Sequence, residues 1–270
     1  MRKIISLLVL SIILLGINYS CQTSKKKDNV LKIGMELAYP PFEMSDTLGV
    51  PTGISVDFAH EIGKALNKKI EIVNIAYDGL IPSLKTGKID MIISSMGITT
   101  EREKSVAFSI PYSKSFLTIL ANQKSNVTNV SDLNREKIRI AVKKGTTGHI
   151  YASKNLPKAE LLLFDKENTC VLEVVQGKAD AFLYDQMTVY RNWKKHPEQT
   201  KALLQPFQND FEYWGIAFRH RDSALKQKVD LFIGEFQKSG GFEKLSEKYL
   251  ADIRETFREQ NIPFFFQSQN

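Results

Sequence analysis

The chain has 270 residues and 43% hydrophobic content, enough to bury a core in one or two ordinary domains, which excludes a disordered chain and a stapled mini-protein. Its charge of +7 comes from 37 basic and 30 acidic residues, with pairs such as Lys68-Lys69, Lys143-Lys144 and Lys194-Lys195 scattered among acids as a solvated basic surface. A nucleic-acid binder would gather them on one face among aromatics, so no nucleic-acid partner is implied, and two cysteines exclude a disulfide framework and a cysteine metal site.

At the N-terminus Arg2 and Lys3 precede an apolar run from Ile4 to about Ile17, ending in Tyr19-Ser20-Cys21. This is the order of a signal peptide, read as residues 1–20, with residues 21–30 as a polar, lysine-rich tether. The run is shorter than the ~18 residues a spanning helix needs. Ser20-Cys21 resembles a bacterial lipoprotein cleavage box, which implies a lipid on Cys21 and a periplasmic or cell-surface chain anchored to the membrane. Asn18 and Tyr19 depart from that box, so an ordinary signal peptide and an uncleaved anchor stay open as alternatives.

Strand and helix signals then alternate. Leu31 to Met35 and Ile70 to Ile72 alternate as half-buried strands do, and Asp57 can cap a helix bearing Phe58, Ile62, Ala65 and Leu66 on one face. An internal echo follows. Leu84-Lys-Thr-Gly-Lys-Ile-Asp-Met-Ile-Ile is repeated some ninety residues later as Val175-Gln-Gly-Lys-Ala-Asp-Ala-Phe-Leu-Tyr. In each copy a glycine can close a helix in the left-handed region, and an apolar run follows as a buried parallel strand. The repeat predicts two α/β lobes of similar topology. Lobe one takes residues 31–117 and 213–255, lobe two takes 118–212, and 256–270 form a tail. The chain would cross between lobes at about 113–120 and 211–218, making a two-strand hinge. Cys170, in an apolar stretch, reads as a buried free thiol.

The residues themselves resemble the periplasmic amino-acid-binding proteins of ABC importers, solute-binding protein family 3, and within it the histidine-, lysine/arginine/ornithine- and glutamine-binding group. The similarity runs in order through Ala38-Tyr-Pro-Pro-Phe-Glu43, Gly53-Ile-Ser-Val-Asp-Phe58, Leu80 to Asp90, Thr99-Thr-Glu-Arg102, Phe108-Ser-Ile-Pro-Tyr112, Lys144-Gly-Thr-Thr147, Ala179 to Asp185 and Gly215-Ile-Ala217. It implies a two-lobe periplasmic-binding-protein fold with the ligand in the cleft between lobes. It also implies an amino-acid ligand, permease subunits as partners, a monomer and no cofactor.

A free amino acid carries a carboxylate and an ammonium close together, so a dry cleft must supply fixed opposite charges. Arg102 matches the family's carboxylate-binding arginine, and its planar fork suits that role. The bland alternative is a surface pair with Glu101 or Glu103. Asp185 matches the aspartate that takes the ammonium, against the alternative of a helix cap. Thr146 and Thr147 lie in a strand-to-helix turn whose N–H groups favour an anion. Tyr39 and Tyr77 match the aromatic positions flanking the ligand side chain, whereas Phe42 reads as core. Glu36 stands where histidine- and glutamine-binding relatives place a side-chain-reading aspartate, which favours a polar or basic ligand; the alternative is a solvent-facing pair with Lys32.

Two positions depart from the family pattern. Ser55 replaces an acid, and Gly97 replaces a hydroxyl residue that contacts the ammonium, leaving backbone groups of Ser95 and Gly97 to contribute. The runner-up function is an enzyme of the cyclohexadienyl/arogenate dehydratase type, which the same fold hosts. The sequence holds no nucleophile elbow, phosphate loop or His-Glu-x-x-His motif. A sensor would need an output segment after Leu250, and none is read there. The Pro263-Phe-Phe-Phe266 tail either folds back on lobe one or meets a partner.

Overall fold

The computed structural model describes residues 29–266; the signal segment, Cys21 and most of the tether, and the tail beyond Phe266, lie outside the described residues. No helix among the described residues is long and apolar enough to cross a membrane. The chain begins with β1 (Val30–Met35), the short β2 (Ala38–Tyr39), β3 (Glu43–Ser45) and β4 (Pro51–Thr52), then α1 (Ile54–Ala65), β5 (Lys69–Asn74), α2 (Leu80–Thr86), β6 (Met91–Ile92), α3 (Thr100–Glu103) and β7 (Ala107–Phe108). After β8 (Ser113–Ser115) come β9 (Leu117–Asn122), β10 (Arg139–Lys143), α4 (Thr147–Asn155), β11 (Glu160–Phe164), α5 (Glu167–Val175), β12 (Ala181–Asp185), α6 (Gln186–Lys195) and β13 (Thr200–Leu203). The remainder is β14 (Glu212–Trp214), β15 (Ala217–Phe218), α7 (Ser223–Lys238) and α8 (Gly241–Glu259).

Two five-stranded sheets result, in the orders β5-β1-β6-β15-β7 and β11-β10-β12-β9-β13. Each repeats one plan. The first strand sits between the second at the edge and the third at the centre, and a strand from outside the repeated segment runs antiparallel beside the third, β15 from later in the chain in one sheet and β9 from just before β10 in the other. The echo explains the match. Gly87 and Gly177 close α2 and α5 in the left-handed region, at φ 81° and 71°. Asp90 and Asp180 then bond across to the neighbouring first strand, their carboxylates accepting from the N–H of Lys32 (3.0 Å) and Arg139 (2.8 Å). One local sentence of sequence thus docks the third strand in both lobes.

The lobes are joined by the antiparallel ribbon β8–β14, with Lys114 opposite Tyr213. Gln186 braces it from lobe two, its Oε1 accepting from Ser115 Oγ at 3.0 Å. Asp57 does not cap α1. That helix starts at Ile54, after Gly53, and Asp57 in its first turn instead accepts from Lys248 (2.7 Å) and the Tyr249 hydroxyl (2.9 Å), pinning α8 onto lobe one. The last helix runs to Glu259, beyond residue 256 where the tail was expected to begin. The phenylalanine tail folds back: Phe265 is fully buried against Phe42, Trp214 and Phe257, and Phe266 stacks on Phe242. Cys170 is a buried free thiol whose pKa burial pushes up to about 12.

Candidate functional site

Strand ends converge between the sheets. The carboxyl ends of β1, β6, β10 and β12 surround a small cavity of about 40 Å³, the position where open α/β sheets place ligands. Glu36, Tyr39, Tyr77, Ser95, Gly97, Thr146, Thr147 and Asp185 all line it. Arg102 does not line it; it stands behind Gly97 and Tyr77.

Arg102 is held at the start of α3, where the Thr99 hydroxyl caps the helix by accepting from the Arg102 N–H at 3.2 Å. Its side chain is buried, so the alternative of a surface pair fails; Glu101 pairs with Lys104 instead. Nη1 donates to the Gly97 carbonyl (2.5 Å), and Nη2 donates to the Gly145 carbonyl (2.7 Å) and the Tyr77 hydroxyl (3.2 Å). The guanidinium therefore bridges the lobes. A Cβ at Gly97 would come within 3.1 Å of the Thr147 methyl from the opposite lobe, so a side chain there would require that methyl to shift by a few tenths of an ångström.

Asp185 is a helix cap, as its alternative reading had it. Oδ1 accepts from the N–H groups of Met187 (2.9 Å) and Thr188 (3.0 Å) at the start of α6. The Tyr39 hydroxyl lies beside the same carboxyl without a hydrogen bond of ordinary geometry. Burial raises the Asp185 pKa, opposed by the Thr188 N–H and by Tyr39. Thr146 caps α4, and Thr147 Oγ1 donates to Glu212 at 2.9 Å. Gly148 allows this turn to lie against β12, since a Cβ there would meet the Leu183 carbonyl at 2.4 Å.

Glu36 overturns the alternative of a solvent-facing pair and still lines the cavity. It neither faces solvent nor pairs with Lys32, which lies 4.0 Å from Glu71; Glu36 accepts instead from Lys143 of β10, across the cleft. Lys143 is buried to 2% exposure, with its ammonium 5.4 Å from the centre of the Tyr77 ring. Its neighbour Lys144 is the solvated one, paired with Asp165 at 2.8 Å. The Lys143-Lys144 pair was thus only half a surface feature. The available signal was position: Lys143 ends a buried parallel strand.

Glu43, Glu212, Tyr184 and Trp214 also line the cavity and were not singled out in the sequence. Glu43 shows why Ser55 replaces an acid. The Ser55 hydroxyl donates to Glu43 at 2.6 Å, and Ser95 and Ser94 add bonds at 3.0 and 3.4 Å, where a second carboxylate would repel. Burial still pushes the Glu43 pKa up to about 8 and that of Glu212 to about 7. Between the ordinary 4.5 and about 8 the folded chain binds the extra proton, so stability falls as pH rises through that window, by up to ~1.4 kcal/mol per unit. Glu43→Gln is expected to flatten this slope, read as the thermal midpoint from about pH 5 to about pH 8. An equal slope in the variant would show that Glu43 does not carry it.

The family profile of bacterial extracellular solute-binding proteins, family 3, matches residues 31–252. The chain belongs to that family. Among its relatives, the ABC transporter arginine-binding protein 1 of Escherichia coli (strain K12) is 28% identical over 246 residues, spanning 90% of this chain and 98% of its own. An ancestral arginine-binding protein solved with glutamine is similar in structure, with a TM-score of 0.75, 31% identity, and coverage of 82% of this chain and 98% of its own. An ancestral amino acid-binding protein that is a precursor of cyclohexadienyl dehydratase gives a TM-score of 0.75 and 34% identity, over 83% and 96% of the two chains. The two-lobe fold expected of the family is the one described above.

Proposed function

We propose that this protein is an extracytoplasmic solute-binding protein that captures one polar or basic amino acid by closure of its lobes and delivers it to the permease of an ABC transporter. The observation that carries this reading is the charge layout of the cleft. Asp185 and the Gly145–Thr147 turn face it from lobe two, Glu36 and Ser95 from lobe one, and Arg102 spans the gap. In this reading the ligand carboxylate takes Arg102 and the Thr147 N–H, since those of Gly145 and Thr146 already donate to His149 and Lys143, and the ammonium takes Asp185. Tyr39 and Tyr77 flank the side chain, with Ser95, Gly97, Thr146 and Thr147 completing the wall. Four carboxyls, of Glu36, Glu43, Asp185 and Glu212, line the cavity, and the Lys143 ammonium beside them is already paired with Glu36, which disfavours aspartate and glutamate as ligands. The names of the relatives, which are binding proteins for arginine and other amino acids, support the class.

Lobes of 31–117 with 213–255, and of 118–212, would turn about the β8–β14 ribbon. We further read Cys21 as the lipid-bearing residue that anchors the chain to the membrane, on the Ser20-Cys21 junction alone, and the chain as a monomer on its resemblance to the family.

The test is calorimetry of the purified protein against the twenty common amino acids. One amino acid is expected to bind per chain with micromolar affinity or better, about −8 kcal/mol. Silence across the panel together with turnover of an arogenate-like acid would establish the enzyme instead.

A further inference from the structure

The cavity lining leaves the ligand's side chain undecided between basic and uncharged, and the structure holds a cation where a basic side chain would go. Lys143 reaches from the end of β10 to Glu36 at the end of β1, and its ammonium also lies near the face of Tyr77. Glu36 and Tyr77 are two of the three groups that would hold a guanidinium or ammonium side chain. The third, Tyr39, is stacked on Phe42 at 5.1 Å and edged by Tyr184 and Trp214.

We propose that Lys143 is a specificity-determining residue: it fills the cation subsite of the cleft from within, so the protein takes an amino acid with an uncharged polar side chain and rejects arginine and lysine. The proposal rests on the amino-acid-binding reading of the same cleft.

The other carboxyls offer a second cation little. Glu43 already takes three serine hydroxyls, and Glu212 takes Thr147 on the Arg102 side of the cleft. Asp185 caps α6 and is the partner of the ligand ammonium. A basic side chain would have to displace Lys143 from Glu36 and leave a buried ammonium, 3% exposed, without its carboxylate. An amide end group meets no such conflict. Its carbonyl oxygen can accept from Lys143 and its NH₂ can donate to Glu36, so both members of the ion pair keep a partner.

The test is calorimetric titration of the purified protein and of Lys143→Met with glutamine, asparagine, arginine, lysine and glutamate. In the parent, an amide amino acid is expected to bind at least about tenfold more tightly than arginine or lysine; in Lys143→Met that preference falls by about tenfold or reverses, because Glu36 is released. Glu36→Gln serves as an independent arm, since it leaves Lys143 without its partner and is expected to raise relative affinity for glutamate. A parent that binds arginine or lysine best overturns the proposal. So does a ranking that neither variant changes. Absence of binding by all five ligands and by the rest of the twenty amino acids, in parent and variants alike, is a different failure and removes the amino-acid-binding reading itself.

Discussion

Replacing Arg102 by alanine is expected to weaken amino-acid binding by about 2 to 5 kcal/mol, and removing the charge of Asp185 should cost about as much, because each change leaves an opposite ligand charge buried without a partner. Sequence reasoning expects little effect on folding from either change. The structure revises that. Truncating Arg102 also removes donors from the Gly97 and Gly145 carbonyls, and truncating Asp185 to alanine removes the cap of α6, worth ~1 kcal/mol. Asp185→Asn separates the two roles, since its amide oxygen still accepts from Met187 and Thr188 while the charge is gone. Calorimetry paired with thermal unfolding of the unliganded protein reads both. Asp185→Asn should lose affinity with a near-parental thermal midpoint. Near-parental affinity in both Arg102→Ala and Asp185→Asn would remove these residues from the site.

Phe265→Ala is expected to destabilise the protein by ~3 to 5 kcal/mol, the cost of emptying a fully buried aromatic site that cannot collapse. Three surfaces meet there. Phe42 of the loop behind the cleft lies 4.9 Å from the Phe265 ring, Trp214 of the hinge ribbon 5.5 Å, and Phe257 of α8 6.4 Å. The Phe265 carbonyl also accepts from the Lys114 N–H (3.0 Å) and Ser113 Oγ (3.1 Å), which ties the tail to β8. Because Trp214 lines the cavity, the loss should reach ligand affinity as well as stability. Denaturant unfolding followed by the emission of Trp193 and Trp214 measures it. A midpoint within error of the parent would mean that the tail packs on the hinge without holding it.

Much of the fold was legible because it is written in short-range chemistry. The glycine closes its own helix and the aspartate three residues later accepts from a backbone N–H of the neighbouring strand, and the same words in residues 84–93 and 175–184 produced the same sheet order twice. Asp57 misled for a related reason: an acid in the first turn and an acid at the cap look alike in sequence, and only the arrival of α8 showed which partner it takes. The candidate residues other than Arg102 share a cavity because strand carboxyl ends face one another in this topology, which pattern alone conveys. What each side chain does there was not legible to the same degree. Arg102 spends two of its nitrogens on carbonyls, and Asp185 spends one oxygen on a cap.

The sequence by itself determined two α/β lobes, their shared plan, the two crossings and the cluster of polar residues at strand ends, since helix caps, glycine conformations and buried apolar strands act over a few residues. Only the tertiary structure decided where the charges of the cleft are paired. Lys143 meets Glu36 across 107 positions, Thr147 meets Glu212 across 65, and the tail meets Ser113 across 152. No local periodicity encodes such pairs, because whether a lysine is solvated or buried against a carboxylate depends on which distant surface closes over it.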